Sequence, residues 1–353
     1  MKGSLLEKFP GADAAIGVGA LKEAARALET GGLMISPIEA LEAPPLKLRL
    51  TAPHSAYLKV ADGCDNRCAY CLIPSLRGPF RSKPLESAVE EARLLAGSGA
   101  KEISLIAQDT TLYGADLYGK PALARLLRKI SVIKGLRWIR VMYAYPERVT
   151  PELLRVMAGA ENICRYLDLP LQHASDAVLK AMNRRSTEKG LRRTLASIRR
   201  LLPGAAIRTN FIVGFPGETD KDFARLLRFV RDQRLDNVGV FKYSPEPGTS
   251  AAGFPGQVPE KVKTARMNEL LSAQAEVVDS LNAGLVGKRF EVLMDSPRFG
   301  RTYRDAPEID GTVEVSAPGD TMRHGVPKNP RPGDFVRVRI TSARGYSRKA
   351  LIA

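Results

Sequence analysis

Cysteine is scarce. The 353 residues contain four, Cys64, Cys68, Cys71 and Cys164. That excludes a disulfide framework and points to a reducing compartment, where clustered thiols bind metal or do redox chemistry. Histidine is rarer still, limited to His54, His173 and His324, which leaves little for a zinc site of mixed ligands. No apolar run approaches the ~20 residues of a membrane-spanning helix. The N-terminal "MKGSLLEKFPGADAAIGVG" has no continuous apolar core and reads as no signal peptide. A cytoplasmic protein without membrane contact is therefore expected. Repeats and low-complexity tracts are absent too. Acidic residues are outnumbered, 38 against 54 Lys and Arg, for a net charge of +16. That excess implies affinity for a polyanion such as RNA or a ribonucleoprotein surface, or only a general basic bias; the scattered arginines leave both open.

What is present is a regular alternation. Residues 1–35 carry helix-like stretches and the strand-like "AAIGVG", too little for a domain and more like the end of one. The proline-bearing 36–54 reads as a linker. From 55 onward, "AYLKVAD", "KEISLIAQD", "LRWIRVMY", "RYLDLPLQ", "AIRTNFIVGFPGE" and "NVGVFKYS" read as strands. Amphipathic helices separate them, one with Leu85, Val89, Ala92 and Leu95 at helical spacing. Six such units predict an α/β fold, a parallel sheet with right-handed crossovers curling into a partial barrel over 55–283. Chemistry then belongs at the C-terminal strand ends. A long helix is expected over 259–283, with Met267, Leu270, Leu271, Val277, Val278 and Leu281 on one side. Short alternating strands over 284–353 predict a small all-β barrel or sandwich.

Three of the cysteines fall in "GCDNRCAYC", residues 63–71, directly after the first strand. The spacing is C-x3-C-x2-C. Three thiolates on one short loop hold three corners of a cubane iron–sulfur cluster and leave the fourth iron open to a substrate or cofactor. A Cys3His zinc site is the alternative, but it needs one of the three histidines, and only Cys68 and Cys71 form a C-x2-C pair. Cys164 opens a strand and reads as a buried core thiol.

That spacing, with Tyr70 before the last cysteine, resembles the signature of the radical S-adenosylmethionine enzymes, whose fold is a partial (β/α)6 barrel. "ADGCDNRCAYCLIPSLRGPFRSKP", "LIAQDTTLYG", "LDLPLQHASDAVLKAMNRR" and "RTNFIVGFPGET" are similar to the core of the methylthiotransferases among them. The C-terminal barrel resembles their TRAM domain. "GRTYRDAPEIDG" at 300–311 resembles the branch that modifies an aspartate on a small-subunit ribosomal protein at the decoding centre, rather than the tRNA-adenosine branch. The resemblance implies that Cys64, Cys68 and Cys71 bind a [4Fe-4S] cluster whose open iron chelates S-adenosylmethionine, which one electron then cleaves to a carbon radical. It implies cofactor contacts from Tyr70, Gln108, Asp109, Gln172, Asn210 and Gly214, the last in the "GFPGE" turn; the bland reading of the polar ones is strand-end capping.

The family also carries an N-terminal domain with three further cysteines for a second [4Fe-4S] cluster. No cysteine precedes Cys64 here, so 1–35 is expected to be a remnant of that domain and the chain an N-terminally truncated form, or else a short homologue that inserts no sulfur. Implied partners are a small-subunit ribosomal protein or the assembled subunit, and a flavodoxin-like or ferredoxin-like electron donor. RNA contact would use Arg337, Arg339, Arg344, Arg348 and Lys349. The mixed charges of "RDAPEID" are expected to pair with a basic ribosomal protein or to solvate a surface loop.

Overall fold

A computed structural model of the chain describes residues 5–37, 52–316 and 330–353. Most of the expected linker (38–51) and His324 lie outside the described residues. At the N-terminal end, strands Ala14–Ile16 and Gly32–Met34 pair in parallel around the helix Ala24–Thr30. The closing strand carries no alternation that the sequence could reveal, being three residues long beside Gly31.

The centre is a six-stranded parallel sheet: β1 Ser55–Lys59, β2 Glu102–Ile106, β3 Trp138–Val141, β4 Ile163–Asp168, β5 Ala206–Val213 and β6 Asn237–Lys242. The strands lie side by side in chain order, as successive right-handed crossovers require. Crossover helices include α1 Leu85–Gly97, α2 Leu123–Ile130, α3 Pro151–Gly159, α4 Asp176–Ala181, α5 Glu188–Leu201 and α6 Asp220–Gln233. Alternate strand residues, among them Leu58, Ile103, Leu105, Ile139, Val141, Leu167, Ile207 and Phe211, form one core with the helix faces Leu85–Val89–Ala92, Leu126–Leu127–Ile130 and Leu191–Leu195–Ile198. Each strand thus turns one face to its helices and the other into the curl of the sheet. The helix α7 Glu260–Ala283 follows. Leu270, Val277 and Val278 are buried on it as expected, but Leu271 is exposed, and its place is taken by Lys263, Arg266 and Gln274. These polar side chains stay buried because each has an acceptor, in the carbonyl of Tyr243, the carboxylate of Glu218 and the carbonyl of Leu235.

Strands β7 Arg289–Met294, β8 Phe299–Arg301, β9 Val313–Ser316, β10 Phe335–Arg344 and β11 Ser347–Ile352 close into a barrel. Its interior is Val292, Met294, Val313, Val315, Val336, Val338, Ile340, Ala350 and Ile352.

The inner face of the sheet carries Glu102, Ser104, Arg140, Tyr166 and Asp168, all fully buried. The small barrel stoppers this polar interior. Arg301 forks onto Asp295 at 2.8 and 2.9 Å and reaches Glu102 at 2.7 Å. Glu102 also accepts from Arg140 Nε at 3.0 Å, and Arg140 donates to the carbonyl of Tyr303 at 2.8 Å. Tyr166 donates to Asp310 at 2.6 Å. Trp138 and Phe335 meet edge to face with centroids 5.0 Å apart.

This docking corrects the expectation for 304–310. Arg304 pairs with Asp236, Asp305 with Arg348, and Asp310 with Tyr166 and Arg208. The stretch is neither a solvated loop nor a free acidic patch, because its charges are spent inside the protein; Glu308 alone of its carboxylates is exposed. Arg348 is likewise buried and leaves the proposed RNA-facing set, whereas Arg337, Arg339, Arg344 and Lys349 stay exposed.

Removing one partner of a buried ion pair strands the other charge and costs about 3–5 kcal/mol. Arg301→Met is expected to lower the stability of the whole chain by that order in urea unfolding. A loss below about 1 kcal/mol would show that the barrel docks through its apolar contacts alone.

Candidate active site

The C-terminal ends of β1 to β5 form one rim, and the cysteine loop lies across it. The loop begins four residues past β1 at Gly63, whose φ is 81° and where a Cβ would meet the Pro79 carbonyl at 2.1 Å, so only glycine fits. It is stitched down along its length. Cys64 N–H donates to the Gly78 carbonyl, Ala69 N–H to the Met182 carbonyl, and Asn183 Nδ2 to the Arg67 carbonyl, at 3.2, 3.0 and 2.6 Å. Asp65 accepts from the Phe80 N–H at 3.1 Å.

Asp109 ties the loop to the rim. It is fully buried, and its carboxylate accepts from Asn66 Nδ2 at 2.9 Å, from Thr111 Oγ1, from the Leu112 N–H at 3.2 Å and from Arg148. Arg148 closes a ring by donating to Asn66 Oδ1 at 3.0 Å. Asn66 lies midway between Cys64 and Cys68, so β2, the segment after β3 and the cysteine loop meet at this one carboxylate.

Above the rim is a cavity of about 380 Å³, lined by Cys64, Cys68 and Cys71 together with Lys59, Asn66, Tyr70, Ile106, Ala107, Gln108, Tyr143, Tyr145, Gln172 and Arg184. This size suits a small-molecule cofactor. Of the residues expected at the site, the structure brings together the three cysteines, Tyr70, Gln108 and Gln172. Asp109, Asn210 and Gly214 are not on its wall. Asp109 points into the ring just described. Asn210 is half-buried, its Oδ1 enclosed without a protein partner and facing Gly239, where a Cβ would come within 2.6 Å. Gly214 has a left-handed conformation, φ 71°, but its N–H is given to Glu218 at 2.7 Å, and Lys263 packs against its α-carbon.

Burial pushes the Cys64 and Cys71 thiols upward and Tyr145 up to about 12. Tyr70 is held well above its ordinary value, first by burial and then by Cys68. Arg184 is buried among these groups, its guanidinium 4.0 Å from the centre of the Tyr145 ring. Burial alone would lower its pKa, but Tyr70, Tyr145 and Cys68 raise it. Cys164, by contrast, is fully enclosed beneath the sheet, with its thiol pushed by burial to about 12.

Two rim residues carry backbone conformations that side chains rarely adopt: Tyr143, φ 55°, and Gln172, φ 70°. Both are held there. Tyr143 N–H donates to Asp168 at 3.2 Å, and its carbonyl accepts from the Thr110 N–H at 3.1 Å. Gln172 exchanges backbone bonds with Asn210 and Ile212 at 2.9 and 2.8 Å.

The donor set suits an iron–sulfur cluster. The lining offers three thiols and no histidine, Asp or Glu, a soft set of ligands. Gln108 Oε1 and Arg184 Nε are buried without protein partners at the same cavity, polar positions suited to a polar cofactor. Sequence reasoning missed Lys59, Tyr143, Tyr145 and Arg184. The pair Tyr143 and Tyr145 sits in "YAYPE" right after a strand, which is a usable signal; Arg184 lies three residues past the end of α4, in irregular chain, and has none.

The Radical SAM superfamily model matches residues 58–230 and the TRAM domain model residues 286–351. The chain is 53% identical over 350 residues to the ribosomal protein uS12 methylthiotransferase RimO of Elusimicrobium minutum, covering 99% of this chain and 79% of that protein. It is 45% identical over 355 residues to the protein of the same name from Pelotomaculum thermopropionicum, covering 97% and 78%. The extent of that identity places the chain in the radical SAM methylthiotransferases, and within them in the ribosomal protein uS12 methylthiotransferase (RimO) family.

Proposed function

We propose that this protein attaches a methylthio group to the β-carbon of an aspartate on the small-subunit ribosomal protein uS12, in the cytoplasm, with electrons from a flavodoxin-like or ferredoxin-like donor. The observation that carries the reading is identity of 53% across nearly the whole chain to a uS12 methylthiotransferase; the cysteine-lined cavity is in keeping with it. No helix among the described residues is long and apolar enough to cross a membrane.

When bound, a [4Fe-4S] cluster with S-adenosylmethionine supplies a one-electron cleavage that starts hydrogen abstraction from the substrate. Cys64, Cys68 and Cys71 would hold the cluster. Asn66, fixed by Asp109 and Arg148, keeps the thiols on the cavity wall. Arg184 places a buried cation beside Cys68 and offsets the charge that three thiolates bring. Tyr70, Gln108 and Gln172 would contact S-adenosylmethionine, while Ile106, Ala107 and Ala144 supply apolar wall. The core over 55–283 would generate the radical and the barrel over 284–353 would grip the substrate. Exposed Arg337 and Arg339 alternate along β10, and Arg339 lies opposite the exposed Arg289 of β7. That stripe would serve contact with ribosomal RNA.

Three measurements test this. Replacing any one of Cys64, Cys68 or Cys71 by Ala is expected to abolish iron and sulfide loading on anaerobic reconstitution, while Cys164→Ala loads normally; loss of the cluster in the Cys164 variant would contradict the ligand assignment. Asp109→Ala removes a buried ion-pair partner, so a loss of about 3–5 kcal/mol in unfolding free energy is expected, together with weaker cluster retention measured by iron release. Mass spectrometry of a deletion strain is expected to show uS12 lighter by one methylthio group, restored by the gene. Unchanged uS12 with loss of 2-methylthioadenosine from tRNA would sink the ribosomal reading.

A further inference from the structure

The cavity wall carries two cationic side chains, Lys59 and Arg184, and no acidic residue. Arg184 belongs electrostatically to the cysteine side, where Tyr70, Tyr145 and Cys68 surround it. Lys59 comes from a different element, the last position of β1, where alternation turns it away from the helices: Ala56 and Leu58 are buried, Ser55, Tyr57 and Lys59 are not. Its ammonium contacts Asp62 Oδ2 at 3.2 Å. The same oxygen lies 3.9 Å from Arg77, and Oδ1 accepts from the Gly63 N–H at 3.1 Å. One carboxylate thus faces two cations, and the corner keeps a net positive charge. An ammonium has three N–H donors, and the side chain of Lys59 is 39% exposed. Around it the wall is apolar or aromatic, with Ala61, Ile106 and Tyr143. A partly exposed cation with N–H donors to spare, on a wall without acidic residues, attracts an anion there.

We propose that Lys59 binds the side-chain carboxylate of the aspartate that is modified, and so is a specificity-determining residue of the substrate pocket. This rests on the functional reading above, which puts the reacting carbon next to a carboxylate. S-adenosylmethionine carries a carboxylate of its own, so the same chemistry has two sources. Lys59 is assigned to the substrate because the thiols that would place the cofactor have Arg184 beside them.

The test uses the reconstituted full chain, wild type, Lys59→Met and Lys59→Arg. Binding is measured by calorimetry for S-adenosylmethionine, for purified uS12, and for uS12 with its modified aspartate changed to Asn. Lys59→Met is expected to lose at least tenfold in affinity for uS12, with the loss falling below twofold on the Asn form, and Lys59→Arg is expected to recover most of it. An equal loss on both forms of uS12 would make Lys59 structural and overturn the proposal. A loss confined to S-adenosylmethionine would give the carboxylate to the cofactor and overturn it as well. Failure of the wild type to bind uS12 at all would instead overturn the functional reading beneath it.

Discussion

Everything at the rim depends on a buried carboxylate that has no surplus acceptor capacity. Asp109 receives Asn66, Arg148, Thr111 and the Leu112 N–H, which accounts for the lone-pair sites an ionised carboxyl offers. Three separate chain segments are thereby fixed to each other in a place from which water is excluded. A short loop with a glycine hinge would otherwise sample many conformations, and three thiols can serve as ligands only if it does not. The cost of burying the charge is offset because the pairing with Arg148 is reinforced by three further donors.

The same rule organises the base of the sheet. A parallel sheet covered by helices on one face leaves the other face to be filled, and here it is filled with charge. Arg140, Glu102, Arg301 and Asp295 run in a chain from the sheet into the small barrel. A second set, Asp168, Arg208, Asp310 and Tyr166, runs beside it. All but Asp295 are buried or nearly so; each charged member has a counter-charge, and Tyr166 donates to Asp310. The barrel therefore works as the floor of the core. A formal charge of +16 says nothing of this. The buried pairs consume arginines and carboxylates one for one, so the excess positive charge stays with the remaining residues.

This is also where the sequence was least legible. Strand order, the helix faces and the cysteine loop follow from periods of two and 3.6 and from residue spacing, so β1 to β6 and Cys64, Cys68 and Cys71 could be read directly. Residues 304–310 could not. A run of alternating charges looks the same whether it is solvated or neutralised by Arg348, Asp236 and Arg208, which lie far away in the sequence. Asp109 shows the same limit at the site. Its position after β2 was readable, but the direction of its side chain, away from the cavity and toward Arg148, depends on a contact the local sequence does not encode. Gln108, its neighbour, faces the cavity instead.

Tyr143 and Gln172 follow from this logic. A left-handed backbone at a non-glycine residue costs on the order of 1–3 kcal/mol, and nothing in "VMYAYP" or "PLQHAS" announces it. Both residues follow strand ends, at the cavity wall, and both are held by bonds to neighbouring strands: Asp168 for one, Asn210 and Ile212 for the other. Asp168 is itself held by Arg208, which also reaches Asp310 in the barrel stretch. The strained rim at the top of the sheet is thus connected by charge-assisted bonds to the docked barrel at the bottom. The geometry of the cavity wall is set partly by residues more than a hundred positions later in the chain.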